Sequence, residues 1–317
     1  MINPANGLAL HYEGDMLVDG AGNQFPIIEE VPRICDPSNY TANFGKQWNL
    51  FTTTQIDRPE TGQQLSEDRF FATTGWAPDT MAGEDVLEVG SGAGRFSRVL
   101  LGRTKATLYS VDYSSAVEAN FRNNKMWADR LRLFQASIYD LPFPDGSFDK
   151  VFCLGVLQHT PDFEASVRAL IAKAKRGGEI VVDFYPIRGG YTKLHAKYLL
   201  RPLTRRLNHE RLLKLIQRNA GWMISVSRMM DRVGLHTLTR FIPVCDVRGT
   251  IPGNLDNQQL REWVVLDTFD MFSPEYDNPQ RVEAVAKMFE RAGAEVTFAG
   301  FLPMGGTEAA VVRGVKK

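Results

Sequence analysis

The residues best suited to chemistry begin with Val86-Leu87-Glu88-Val89-Gly90-Ser91-Gly92-Ala93-Gly94-Arg95-Phe96-Ser97. An apolar run ends at an acid, three glycines alternate, and a helix-like pattern follows. Glycines at this spacing let the backbone turn tightly and approach a ligand closely. The helix that opens after them aims amide N–H groups at that ligand, which suits a nucleotide. A second acid, Asp112, ends the run Leu108-Tyr109-Ser110-Val111, roughly 20 positions further on, where a carboxylate can accept both hydroxyls of a ribose. The dinucleotide spacing G-x-G-x-x-G is not met, because the third glycine comes one residue early and Arg95 stands in its place.

Further phrases follow in order. Leu131 to Ile138 reads as a strand and runs into Tyr139-Asp140-Leu141-Pro142-Phe143-Pro144-Asp145-Gly146-Ser147-Phe148-Asp149. Lys150 to Gly155 reads as the next strand and leads to Val156-Leu157-Gln158-His159-Thr160. An alanine-rich helix, Lys175-Arg176-Gly177-Gly178 and a strand from Glu179 to Tyr185 come after it. With the form E-x-G-x-G-x-G at its head, this series resembles the class I S-adenosylmethionine (SAM) methyltransferases over residues 84 to 185. The resemblance implies SAM as cofactor, held by Glu88, Gly90, Ser91, Gly92, Gly94, Asp112, Tyr113, Ser137, Ile138 and Leu154. Ser137 stands where the family's adenine-binding acid falls; a hydroxyl accepts that bond more weakly, and the Ile138 amide and nearby Asp140 are the alternatives. The segment before the glycine strand folds over the methionine end of SAM in many relatives, which makes Tyr40, Gln47, Trp48 and Arg69 candidates there, with core or surface packing as the competing role.

The elements that must position these residues follow from the pattern. The fold expected is α/β: a doubly wound, mostly parallel, seven-stranded sheet with an antiparallel final strand. Residues 1–36 read as a small β-rich module, a loose likeness of a zinc ribbon without its cysteines and so metal-free. Residues 37–83 form a helical cover of the SAM site. Residues 84–190 and 254–317 make the methyltransferase core, closing through a helix from Pro279 to Arg291, capped at Gly293, and two strands. Residues 191–253 form a helical insertion after the fifth strand.

The insertion is basic: Lys193, Lys197, Arg201, Arg205, Arg206, Arg211, Lys214 and Arg218 stand against Glu210 alone over its first thirty residues. Together with its leucines this suggests contact of 191–218 with a membrane surface or an anionic substrate; the alternative is a solvated face balanced by acids elsewhere. Formal net charge is zero, so no global field favours nucleic acid. Three isolated cysteines argue against a disulfide framework or zinc site. With no signal-peptide pattern and no membrane-length apolar run, a cytoplasmic protein is expected.

SAM carries its own leaving group, so methyl transfer depends mainly on positioning, and an oxygen acceptor of high pKa gains from a base. His159 is the candidate base, a structural role being the alternative. Tyr185, Asp267, Asp270 and Tyr276 are candidate acceptor contacts. The leading expectation is a SAM-dependent methyltransferase acting on a small-molecule or glycan-type acceptor at oxygen, resembling enzymes of bacterial glycan or secondary-metabolite pathways. The alternative is a C-methyltransferase of a quinone-like or lipid-associated acceptor, and a non-catalytic SAM-binding scaffold ranks below both.

Overall fold

A computed structural model describes residues 1–36, 39–57, 64–251, 255–304 and 307–317. The chain divides into two compact units. The first comprises Met1–Pro186, Tyr276–Leu302 and Ala310–Lys317, and the second Ile187–Glu275 and Pro303–Ala309.

The strands are β1 (Leu10–Glu13), β2 (Met16–Asp19), β3 (Gln24–Ile28), β4 (Val31–Ile34), β5 (Asp85–Val89), β6 (Thr107–Asp112), β7 (Leu131–Ala136), β8 (Phe148–Cys153), β9 (Ala174–Phe184), β10 (Ala294–Met304) and β11 (Thr307–Lys316). They form one sheet in the order β1-β2-β3-β4-β7-β6-β5-β8-β9-β11-β10. From β4 to β9 all neighbours are parallel, and β11 runs antiparallel to β9. Central strands such as β5 are buried along almost their whole length, as parallel strands covered on both faces must be. The order reverses between β5 and β8, and ligands of such sheets sit beyond the strands' carboxyl ends at that reversal.

The expected seven-stranded sheet is corrected to eleven strands. The seven from β7 to β10 are present in the expected arrangement; the difference is the N-terminal module. Its antiparallel meander β1–β4 joins the same sheet because β4 pairs in parallel with β7 through Arg33↔Gln135 and Ile34↔Ala136. This pairing gives the exposed edge of β7 its missing backbone partners. Arg33, 7% exposed, strengthens the seam by donating to Gln135 Oε1 at 3.0 Å and to the Ile28 carbonyl at 3.4 Å. Asp19 holds the meander's turn: it accepts from the Ala21 and Asn23 amides and from the side chains of Asn3, Asn6 and Asn23.

In the segment expected as a cover lie α1 (Ala42–Leu50) and α2 (Leu65–Thr74); then follow α3 (Arg95–Arg103), α4 (Val117–Asn124) and α5 (Phe163–Lys173). Asp162 starts α5 by accepting the Ala165 amide at 2.9 Å, a side-chain cap.

The second unit holds α6 (Ala196–Thr204), α7 (His209–Arg232) and α8 (Asn257–Phe272). The insertion is helical as expected, but its unit runs on to Glu275, so α8, within the 254–317 segment expected in the core, belongs to it. The reason is packing: Met223 and Ile224 of α7 bury against Leu260, Trp263 and Val264 of α8. The helix after it is α9 (Val282–Arg291), followed by Gly293 at φ +86°.

Replacing Arg33 by Ala leaves Gln135 and the β4–β7 seam without a buried donor. An unfolding free energy lower by about 2 kcal/mol is expected in urea titration.

Candidate active site

The glycine loop sits on a buried polar network. Glu88 is 2% exposed, and Ser97, Ser110, Asn120 and Asn124 are fully buried. Glu88 Oε2 accepts from the hydroxyls of Ser97 and, at 2.8 Å, Ser110. Asn120 Nδ2 lies 3.1 and 3.2 Å from the same two hydroxyls. Asn124 Nδ2 donates to Asn120 Oδ1 at 2.8 Å and to the Gly94 carbonyl at 3.0 Å. The network links β5, β6, α3 and α4 beneath the loop. Burial pushes the Glu88 carboxyl up to about 7, against the opposing pull of the two serine hydrogen bonds.

Two residues expected as cofactor contacts, Glu88 and Gly94, have structural partners in this network. Glu88 points into the network and holds the loop from below. Gly94 faces the same way: a Cβ there would stand 2.2 Å from both Asn120 Oδ1 and Asn124 Nδ2, so the absent side chain makes room for the asparagines. Gly90 passes against Val156 of the β8 loop. Gly92 (φ +53°) is the glycine turned toward the cover, where a Cβ would meet the Trp48 indole at 3.0 to 3.3 Å.

Asp112, at the end of β6, is partly exposed. Its Oδ2 accepts the Gly92 amide at 2.8 Å, and its Oδ1 accepts the Ser114 amide and hydroxyl at 2.8 and 2.6 Å. Burial raises its pKa, and these hydrogen bonds oppose the rise. Asp112 thus ties the loop to the turn after its neighbouring strand. Tyr113 follows it, with its ring 5.5 Å from that of Tyr40. Ser137 Oγ accepts the Tyr139 amide at 3.1 Å, and Ser137, Ile138 and Leu154 are buried at the strand ends.

The cover is fastened by specific contacts. A Cβ on Gly45 would stand 2.3 Å from Ser115 Oγ, so α1 lies directly on the turn after β6. Asn49 donates to the Ser115 carbonyl, and Asn123 to the carbonyls of Thr52 and Ala93. Gln47 is 2% exposed on α1. Arg69 of α2 donates to Asp183 Oδ2 at 2.7 Å, while Asp183 Oδ1 accepts the Gly155 amide. Arg69 therefore joins the cover to β9 and to the loop after β8, with its carboxylate partner supplied by the chain.

His159 is 5% exposed in the turn after β8. Its ring lies 5.2 Å from Phe44 and 5.5 Å from Tyr185, and its Nδ1 is 3.1 Å from the Tyr276 carbonyl. That carbonyl can only accept, so Nδ1 carries a proton, and in the neutral ring Nε2 would be the lone-pair atom. The strap after Tyr276 is fixed by Asn278, which donates to the carbonyls of Gln158 and Thr160. Tyr40 completes the set, its ring 5.3 Å from Tyr276. Burial lifts the Tyr40 phenol, with Tyr139, Tyr113 and Tyr276 adding to the rise, so it stays a protonated donor. His159, Tyr185 and Tyr276 are thus brought together. Asp267 and Asp270 lie on α8 in the second unit, where Asp267 adds to the burial that raises the Cys245 thiol.

Three working residues escaped the sequence reading: Asp183, Asn120 and Asn124. The asparagines stand four apart on a helix whose other buried positions include Val117 and Ala119, a polar pair on a core face that could have signalled them. For Asp183 the signal was an acid ending the strand Ile180-Val181-Val182.

The residues present suit the adenosyl cofactor. Ser91 Oγ, inside the loop, is buried without a hydrogen-bond partner, the Trp48 indole stands over Gly92, and the Asp112 carboxylate holds the Gly92 amide beside them.

Residues 87–182 match the family model described as a methyltransferase domain. Among curated relatives, the chain is similar to a tRNA U34 carboxymethyltransferase of Nautilia profundicola, 32% identical over 33% of this chain and 36% of that one. It is also similar to a malonyl-[acyl-carrier protein] O-methyltransferase of Halorhodospira halophila, 33% identical over 34% and 39%. A demethylmenaquinone methyltransferase of Tropheryma whipplei is 30% identical over 41% and 55%. The matched part covers less than two thirds of each of these relatives. The family match covers residues 87–182, less than a third of the chain.

Two outcomes are expected. Gly92→Ala adds a left-handed backbone cost of about 1 kcal/mol and displaces Trp48, so calorimetry should show SAM affinity reduced about tenfold or more. Glu88 has a folded-state pKa of about 7 against an ordinary 4.5, so the folded state holds its proton longer and the stability from this group is lost as pH rises through that window. Glu88→Gln removes the titration. Thermal unfolding should show the variant gaining on the parent by about 2 kcal/mol between pH 5 and pH 8, and a constant difference would exclude the assignment.

Proposed function

We propose that the chain is a SAM-dependent methyltransferase that transfers a methyl group to oxygen of a small-molecule or glycan-type acceptor. The observation that carries this reading is His159, set between the rings of Phe44 and Tyr185 with its proton fixed on Nδ1 by the Tyr276 carbonyl. SAM, when bound, supplies an activated methyl group on a sulfonium. The chain's part is to hold the nucleoside with Gly92, Ser91 and Asp112, to keep water away with Trp48 and Tyr40, and to take a proton from the acceptor at His159 Nε2.

Around His159 stand Tyr40, Phe44, Tyr185 and Tyr276, aromatic surfaces without formal charge. They suit a flat or ring-shaped acceptor that carries a hydroxyl. One relative is named as an O-methyltransferase of malonyl-[acyl-carrier protein] and another as a methyltransferase of demethylmenaquinone, so an oxygen acceptor and a quinone-type acceptor each have a precedent. A lipid-associated acceptor methylated at carbon is the second reading, favoured by the exposed apolar side chains of α7. The tRNA-modifying relative gives a third kind of acceptor, and the zero net charge of this chain argues against it.

The test uses SAM with a deuterated methyl group, a panel of phenolic, sugar and quinol acceptors, and NMR of the product to identify the methylated atom. An O-linked label is expected. His159→Ala should keep SAM affinity within about threefold and lower kcat by about 10²- to 10⁴-fold. Unchanged turnover would remove His159 as the base, and a C-linked label would select the second reading.

A further inference from the structure

The outer face of α7 carries apolar residues at a spacing of seven: Leu215, Trp222 and Met229, exposed by 52%, 51% and 58%. A helix turns back to nearly the same direction every seven residues, so the three form one straight stripe along a 24-residue helix, about 36 Å long. The opposite face is buried through Leu212, Ile216, Ala220, Met223 and Ile224. The stripe is therefore apolar surface additional to what the second unit needs for its own core. Trp222 Nε1 donates to Asn219 Oδ1 of the same helix at 2.7 Å, so its polar atom is satisfied and its ring is left outward. The apolar surface continues past the helix end through Val233, Leu235 and Leu238.

Exposed Arg211, Lys214 and Arg218 flank the stripe. At its far end a cleft of about 290 Å³ is lined by Arg228, Arg232 and Arg248, with Asp231 and Val247 completing it. Three guanidiniums against one carboxylate leave the cleft strongly positive, and guanidinium is the group best matched to phosphate oxygens. A helix that presents Trp, Leu and Met between basic side chains has the make-up of one lying in a bilayer interface. Spanning is not its role: no described helix is long and apolar enough to cross a membrane.

We propose that the α7 face of the second unit docks on an anionic phospholipid membrane, with Leu215, Trp222 and Met229 entering the interface and the Arg228–Arg232–Arg248 cleft taking a lipid phosphate. This moves the surface expected at 191–218 toward the carboxyl half of α7 and the turn beyond it. It stands independently of which acceptor the enzyme methylates.

Co-sedimentation of the full chain tests it, using vesicles of phosphatidylcholine alone and vesicles with about one third phosphatidylglycerol. Pelleting is expected with the second kind only. Arg228→Gln, Arg232→Gln and Arg248→Gln together should lower partitioning about fivefold per arginine, on the order of a hundredfold in all. Trp222→Ser with Met229→Ser, both at exposed positions, should also release the protein. Removing three exposed charges from the first unit, with Lys105→Gln, Lys125→Gln and Arg168→Gln, should change little.

Absence of pelleting, equal pelleting with phosphatidylcholine alone, or equal loss in the first-unit control would overturn the proposal. Calorimetric binding of inorganic phosphate at the arginine cleft without vesicle binding would overturn it in favour of a soluble ligand. Arginine-dependent tRNA binding without vesicle binding would overturn it in favour of nucleic acid. A dimer in sedimentation velocity that Trp222→Ser breaks would show that a second copy covers the face.

Discussion

The glycine loop rests on a carboxylate with almost no access to water. Glu88, two serines and two asparagines form a connected set of hydrogen bonds below the loop, and the last of them reaches the loop's own backbone at Gly94, although Asn124 Oδ1 itself is buried without a partner. Each bond made here matters, because an unpaired polar group in the interior loses its hydration without return. The two serines donate to Glu88 and accept from Asn120, so the elements that carry them, α3 and β6, cannot shift independently. The ligand side of the loop is shaped by this arrangement beneath it, and Asp112 adds the lateral tie through the Gly92 amide.

The upper side is built differently. Residues far apart in sequence converge through single contacts: the Trp48 ring over Gly92, Arg69 on Asp183, and the Tyr276 carbonyl on His159. Arg95 joins the same layer by donating to Ser66 and Gln55. α2 is anchored by Phe70, fully buried with its ring 5.2 Å from that of Phe152. The buried positions of α1, by contrast, are Asn43, Gly45 and Gln47, which makes α1 the segment placed to open locally without unfolding the rest. Entry and exit of a cofactor beneath the cover can then proceed by parting a few polar contacts.

Much of the core was legible because strand-ending acids and glycine turns are local signals. Glu88, Asp112 and the alternation of strand and helix from Val86 to Tyr185 needed only neighbouring residues to be read. What the side chains face was not legible. Glu88 and Gly94 look alike in a motif whether they meet a ligand or a buried asparagine, and only the placement of α4 decides it. The β-rich start was read as strands, yet its joining to the sheet depends on Arg33 meeting Gln135, a pairing with no trace in local pattern. The same holds for α8: its apolar residues are interspersed with Arg261, Glu262, Asp267 and Asp270 rather than gathered in one stripe, so period alone could not say which unit it would complete.

The seam between β4 and β7 also sets an order of events. Arg33 and Gln135 are 102 residues apart, and synthesis delivers chain at about 5 to 20 residues per second. The meander of residues 10–34 therefore leaves the ribosome several seconds before the strand that completes it. During that interval it is an isolated sheet whose β4 edge is also open, a form with little stability of its own. Its docking is a late step, after β5, β6 and β7 have assembled, because distant pairings must wait for the loop between them to close. The meander, made before β7, is thus fixed only after it, and its open β4 edge sets the period in which the nascent chain is most exposed to pairing with a stranger.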